Sequence, residues 1–382
     1  MTTIPSKTFT GLHDPDGHSE WIVHGPTKAK VINAPGYPQP VPKPKASYGT
    51  QPAYVIKQTS NMGLGVFATR DIKMGELIFA ERPLLVSPRS NVSLNIQNVQ
   101  HYNLKTQIAI VMMEWEKTLE IAVGRMAPED RKAFMELANS HKDDGSGPIL
   151  GIIRTNGFKV GSNIFDGPEE HADGRNAYSG VIKIGSRINH RYVFLAFFLL
   201  DFRTICLDMH LFSCMPNVEI EFSTPSFSFQ CSAMVDINAG EQLFYAYCGV
   251  DQPVAERQVE LAPYGIVCSC AACLHATPET DKLRTEFRKI AMDLILDGRR
   301  NRFTPDERVA ESEIEPVMLF KDALIREGFH YTSEYKAMIL LLQQFYEGIG
   351  MKEKARPYKE EYKRYKLPSK MINGVLVFNI QK

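Results

Sequence analysis

Between Tyr54 and Val86 apolar and polar residues alternate, broken by turn signals at 61–65 and 73–76. That period predicts short strands in a meander. The period then changes. Leu104, Ile108, Val111, Met112, Trp115 and Leu119 recur every three to four residues, which predicts an amphipathic helix within 102–140. A second helix is predicted to start at Pro128, with Glu129 and Asp130 in its first turn and Phe134, Leu137 and Ala138 on its buried face. Residues 141–148 read as a loop. Strand texture resumes at Ile149 and, leaving aside 191–212, runs to Tyr247. Beyond Thr277 the segments 283–296, 312–326, 333–348 and 352–364 each read as a helix. Their short links favour antiparallel neighbours. No exact internal repeat is present.

Composition refines this outline. Residues 1–52 hold nine prolines, five of them between Pro35 and Pro44. Such a stretch forms neither a packed helix nor a central strand and reads as an extended, disordered arm, with a proline-reading partner as the alternative. Lysine plus arginine equals aspartate plus glutamate at 44 each, which excludes a protein that coats nucleic acid through bulk charge. The first twenty residues lack the continuous apolar core of a secretory signal. The most apolar run, Tyr192 to Leu200, stops at Asp201, well short of the roughly 20 residues a membrane span needs. All seven cysteines lie between Cys206 and Cys273. That reads as a local site in a reducing compartment rather than a secreted disulfide framework. The expected location is nuclear or cytoplasmic.

Four segments carry chemistry: Gly63-Leu64-Gly65 with Val66-Phe67-Ala68; Arg154-Thr155-Asn156-Gly157-Phe158; Ser186-Arg187-Ile188-Asn189-His190 with Ser213-Cys214-Met215-Pro216-Asn217; and the run from Ala239 to Tyr247, followed by Cys268-x-Cys270-x-x-Cys273. A lone GxG marks only a tight turn where backbone comes close to something. Asn156 alone reads as a turn former, and His190 alone as a structural histidine. Three thiols at CxCxxC spacing suit tetrahedral zinc with a fourth ligand from elsewhere. Cys231 and Cys248 read as core cysteines.

Together and in this order, the segments GLGVFATRDIKMGELIFAERPLL, RINH, SCMPNVEIEF, INAGEQLFYAY and CSCAAC resemble the SET domain of protein lysine methyltransferases. The likeness covers about 54–274 and is nearest to the SET–MYND branch and its fungal relatives. No cysteine lies between Val86 and Gly180, so the zinc finger of that branch is absent. The resemblance implies an α+β fold. It divides the chain into an arm (1–52), a SET domain (53–250, helical insertion 87–148), a post-SET zinc segment (251–276) and an all-helical C-terminal region (277–382).

It also implies roles. Gly63, Leu64 and Gly65 would approach S-adenosylmethionine through backbone, and Asn156, Asn189 and His190 would contact it. Tyr264 would meet the adenine, where Ile266 replaces the aromatic residue that relatives often carry. Tyr247 matches the catalytic tyrosine. Tyr245, on the same strand face, would line the lysine channel or serve as plain core. Cys214 would join Cys268, Cys270 and Cys273 around Zn2+. The implied activity is S-adenosylmethionine-dependent protein-lysine N-methylation by a monomer with no direct nucleic-acid or membrane binding. The alternatives are a non-catalytic SET scaffold and a transcription cofactor.

One feature breaks the pattern. The family reads Asn-His-Ser-Cys without interruption, whereas here 22 residues, 191–212, separate His190 from Ser213. Their apolar composition is foreign to the domain. Arg191-Tyr192-Val193 can be written with a GTATGT donor and Phe212-Ser213 with an AG acceptor. The segment therefore reads as a translated in-frame intron, or else a surface insertion. A cDNA that keeps these codons in most messages would sink the intron reading.

Overall fold

The computed structural model describes residues 2–4, 19–22, 31, 33–45, 51–60, 62–89, 101–160, 178–190, 214, 216–268, 270–300, 307–364, 369–372 and 375–378. In chain order the strands are β1 Thr2–Ile4, β2 Ser19–Trp21, β3 Tyr54–Gln58, β4 Leu64–Ala68, β5 Leu77–Glu81, β6 Leu85–Pro88, β7 Gly157–Val160, β8 Tyr178–Val181, β9 Val218–Ser223, β10 Ser228–Ala233, β11 Ser369–Ile372 and β12 Val375–Phe378. The helices are α1 Leu104–Gly124, α2 Pro128–Met135, α3 Pro148–Asn156, α4 Val254–Leu261, α5 Ala271–Leu274, α6 Pro278–Arg300, α7 Glu307–Arg326, α8 Ser333–Gly348 and α9 Lys352–Arg364. Short strands in small sheets, joined to helices, make the α+β class that was expected.

The sheets are β1-β2-β6-β8-β7, β5-β10-β9, β3-β4 and β11-β12. The first contains one parallel pair, β2 with β6. Its β6-β8-β7 part is antiparallel. The alternation predicted for 54–86 is realised in the β3–β4 hairpin, where Val66 and Ala68 are buried. Isolated bridges join these sheets: Phe67 to Gln242, Ile72 to Ile237, and Asn189 to Phe244. The run 242–245 is bonded on several sides. Leu243 N–H donates to Val66, Tyr245 N–H to Asn189, and the Phe244 carbonyl accepts from Asn217 and Val218.

The helical insertion packs the later part of its apolar stripe, from Trp115 onward, on the first sheet, whereas Leu104 and Ile108 of the predicted stripe are exposed. Trp115, Leu119, Phe134, Ile149, Ile152 and Ile153 form one core with Leu85 and Val181. The Asn103 side chain caps α1 by accepting from Thr106 N at 3.0 Å. Strand texture at Ile149 proves misleading, because residues 148–156 are helical and the insertion ends later than expected. Pro148 sits in the first turn, and the buried Glu116 carboxylate accepts from the N–H groups of Ile149 and Leu150 at 2.8 Å each. A negative group at a helix start satisfies orphan donors and opposes the macrodipole. Gly147 permits this approach, since a Cβ there would lie 2.2 Å from the Glu116 side chain.

Two further expectations need correction. The arm 1–52 is partly integrated. Trp21 has no exposed surface and packs with Val31, Val86, Tyr178 and Phe227, Gln39 N–H donates to Pro225 O, and Glu20 pairs with Arg125. Burial of one large aromatic ring outweighs the local preference of the prolines for extension. The C-terminal region is not all-helical, because β11 and β12 pair after α9. They flank Asn373-Gly374, a strong hairpin signal. The four predicted helices are present as α6–α9 and share one core around Phe287, Leu324, Met338 and Leu342.

The run Tyr192–Leu200 and the proposed intron lie outside the described residues. Among the described residues no helix is long and apolar enough to cross a membrane.

Candidate active site

A cavity of about 200 Å³ opens where α3, β7 and the run 245–247 meet the turn after α4. Its lining includes Asn156, Phe158, Ser186, Tyr245, Tyr247 and Tyr264. The rings make two contacts: Phe158 with Tyr245 at 5.4 Å between centroids, and Tyr247 with Tyr264 at 5.0 Å. Aromatic faces of this kind accommodate a cation. A larger space of about 520 Å³ shares Arg89, Gly157 and Tyr264 with the first and extends along Met112, Trp115 and Ile153.

Tyr247 donates its hydroxyl to Ile188 O at 2.8 Å, and its N–H meets His190 Nδ1 at 3.2 Å. Burial, with the neighbouring Tyr264 phenol, pushes the Tyr247 phenol well above its ordinary range. The hydroxyl therefore keeps its proton at neutral pH. Tyr245 lines the same cavity and also packs against the strand core.

Asn156 ends α3. Its Nδ2 donates to Ala138 O and to Ile152 O, both at 2.7 Å. Two carbonyl acceptors fix the amide's orientation and leave its oxygen for a ligand. A turn-forming role is thereby replaced by one at a helix end. Ser186 Oγ is buried and has no hydrogen-bond partner among the described residues. Phe158 and Ser186 lay inside quoted motifs, but sequence reasoning gave neither a role; an aromatic residue next to a cofactor-type asparagine was the available signal.

Gly63, Leu64 and Gly65 do not line this cavity. They reach it at one remove. Asn189 Nδ2 donates to Leu64 O at 3.0 Å, while the Asn189 carbonyl accepts from Tyr245 N–H at 3.1 Å. The two glycines differ in need. Gly63 has a φ of +66° with open space beside it, whereas a Cβ on Gly65 would lie 2.5 Å from Gln242 Nε2. Asn217 was also missed. Its Oδ1 accepts from Phe244 N–H at 2.7 Å and its Nδ2 donates to Gln242 O at 2.9 Å, so this side chain acts as a short extra strand.

Cys214, Cys268, Cys270 and Cys273 place their sulfurs within 4.8 Å of one another. Cys214 Sγ is 3.7 Å from Cys268 Sγ and 3.5 Å from Cys273 Sγ. With zinc–sulfur bonds of about 2.3 Å, the corners of a tetrahedron are about 3.8 Å apart, so these residues fit such an ion and could hold it. The cluster backs onto Tyr247 and Ile266. Cys231 is buried in the strand core. Cys248 is buried in a core cluster, as read, and also stands with His190 and Cys214 in a second grouping of possible ligand atoms. His190 is 2% exposed, and burial pushes its imidazole down to about 4. A ring nitrogen of His190 lies within 4.8 Å of Cys214 Sγ, so side chains on the two flanks of 191–212 come near each other.

Residues 63–248 match the model of the SET domain. Over 221 residues the chain is 24% identical to the histone-lysine N-methyltransferase set5 of Schizosaccharomyces pombe, covering 58% of this chain and 50% of that protein. The chain thus spans about half the length of that curated relative. Among solved structures, a humanized mutant of the Chaetomium thermophilum Polycomb Repressive Complex 2 bound to the inhibitor GSK343 is similar at 14% identity, with a TM-score of 0.23, over 82% of this chain and 34% of that one.

Proposed function

We propose that the chain is an S-adenosylmethionine-dependent protein-lysine N-methyltransferase. The observation that carries this reading is the aromatic cavity of Phe158, Tyr245, Tyr247 and Tyr264, with Asn156 and Ser186, in a chain whose residues 63–248 match the SET domain. The likeness to a histone-lysine methyltransferase supports it. A histone and a non-histone protein are both compatible as substrate. The chain acts as a monomer in the nucleus or cytoplasm and needs no direct contact with nucleic acid.

S-adenosylmethionine, when bound, supplies an electrophilic methyl group on a sulfonium. Gly63, Leu64, Gly65, Asn156, Asn189, His190 and Tyr264 would hold it, and the leftover Asn156 oxygen and the unpartnered Ser186 hydroxyl fit a polar, cationic ligand. The protein's part is binding and alignment. Aromatic walls remove water from an incoming lysine and favour its neutral, nucleophilic form. The protonated Tyr247 hydroxyl donates to Ile188 O, which leaves its oxygen lone pairs to accept from the amine and fix its direction. Cys214, Cys268, Cys270 and Cys273 would hold a zinc ion that keeps the Tyr264 segment in place.

The test is transfer of a labelled methyl group to a protein mixture. Tyr247→Phe is expected to lower transfer about 10²-fold while S-adenosylmethionine binding by calorimetry stays within a few-fold. A second reading, a non-catalytic scaffold, is favoured by the segment that separates His190 from Ser213. Folded, metal-loaded chain that binds no S-adenosylmethionine, with or without 191–212, would establish that reading instead.

A further inference from the structure

Helix α4 sends two side chains to the cysteine cluster, and only one of them is charged. Arg257 has no exposed surface. Its Nη1 donates to Gln252 O at 2.6 Å, and its Nη2 donates to Ala272 O at 3.1 Å and to Cys273 Sγ at 3.6 Å. Among the described residues no carboxylate pairs with it. A guanidinium does not give up its proton in a protein, and a buried charge without a counter-charge is strongly destabilising. The sulfurs are what this cation faces. Four thiolates around one divalent ion carry two net negative charges and would balance it. The neighbouring Gln258 makes a neutral clamp on the same loop, with Nε2 donating to Cys268 O at 2.7 Å and Oε1 accepting from Cys268 N–H at 3.1 Å. Three residues beyond α4 the chain delivers Tyr264 to the catalytic cavity.

We propose that Arg257 is the counter-cation of the loaded four-thiolate site, a positioning residue through which the metal seats α4 and Tyr264. This rests on reading the four cysteines as a metal site. Sequence spacing identifies the sulfurs but gives no hint of an arginine eleven residues before the first cysteine of the CxCxxC run.

The experiment uses the full chain loaded with zinc, as wild type, Arg257→Gln, Arg257→Lys and Gln258→Ala. Transfer of zinc to a chromophoric chelator is expected to be about 10- to 100-fold more favourable for Arg257→Gln. Arg257→Lys, which keeps the charge, recovers most of that loss, and Gln258→Ala changes it little. Melting gives a second test. Arg257→Gln lowers the melting temperature of loaded protein more than that of metal-free protein. Gln258→Ala lowers both alike. In cobalt-loaded Arg257→Lys, the sulfur-to-cobalt charge-transfer band moves to lower energy as the N–H···S bond is lost. Equal melting losses with and without metal, at unchanged zinc retention, would overturn the proposal. Wild type that takes up no zinc or cobalt would defeat the metal reading itself, a separate result. Should Arg257→Gln not fold, Arg257→Lys decides: zinc retention as poor as that of a cysteine-to-serine variant would overturn the role of charge.

Discussion

Asn156 commits both of its amide hydrogens to protein carbonyls. Its place in the site is therefore paid for by local structure and exposed to a simple test. Asn156→Asp puts a carboxylate opposite two carbonyl oxygens, and the chain should lose about 3 kcal/mol of stability in urea denaturation. Asn156→Ala should lose about 1–2 kcal/mol. Gly65 makes a different demand. Gly65→Ala should cost about 1–3 kcal/mol because Gln242 and Thr59 must move, and S-adenosylmethionine affinity should fall with it, since Asn189 links that turn to Tyr245. The GxG pattern was legible as a close approach of backbone, and Gly65 fulfils that against a side chain. The fixed orientation of Asn156 was not legible, because its partner Ala138 lies 18 positions earlier, in the loop between α2 and α3.

At the scale of elements, one carboxylate decides a helix. The bonds from Ile149 and Leu150 to Glu116 should make Glu116→Gln about 1–2 kcal/mol less stable, read as a lower denaturation midpoint at unchanged slope. That cap explains the misreading of residues 148–156. A short apolar run such as Ile149-Leu150-Gly151-Ile152-Ile153 has no period that separates strand from buried helix, and a cap 33 residues away cannot be seen locally. The stripe of α8, and that of α1 from Trp115 onward, were legible because length itself resolves the period, but spacing alone did not show that Leu104 and Ile108 are exposed. The segment 191–212 yields another expectation. Donor atoms of the His190 and Cys214 side chains, on either flank of that segment, lie within 4.8 Å of each other. A chain lacking 191–212 should fold with the same cooperativity and bind S-adenosylmethionine at least as tightly, measured by melting and calorimetry. Much weaker binding by the deleted chain would show the segment to be a working part.

For the whole molecule, one partly buried carboxyl sets a pH dependence. Burial pushes Glu81 above its ordinary 4.5 to about 7, against the pull of the backbone N–H groups of Gly185, Ile184 and Lys183. Folded protein therefore binds more protons than unfolded protein between these values. The stability this group lends is complete below about 4.5 and is lost as pH rises through 7. Denaturation at pH 5 and pH 8 should show this fall, and Glu81→Gln should reduce it. The parts of the candidate site that lie in short motifs were legible, because Asn156, Tyr245, Tyr247 and the CxCxxC cysteines stand in compact runs that the fold brings together. The rest was not, because Ser186, Asn217 and Arg257 act through partners that only the tertiary fold supplies. The run 242–245 illustrates how far those partners are spread, for it bonds to Val66, Asn189, Asn217 and Val218. On the ribosome this run emerges after all of them. The nascent domain must wait with the seat for Leu243 vacant among Val66, Ile188 and Val218, and a chain terminated before Leu243 would leave that apolar seat open to chaperones and proteases.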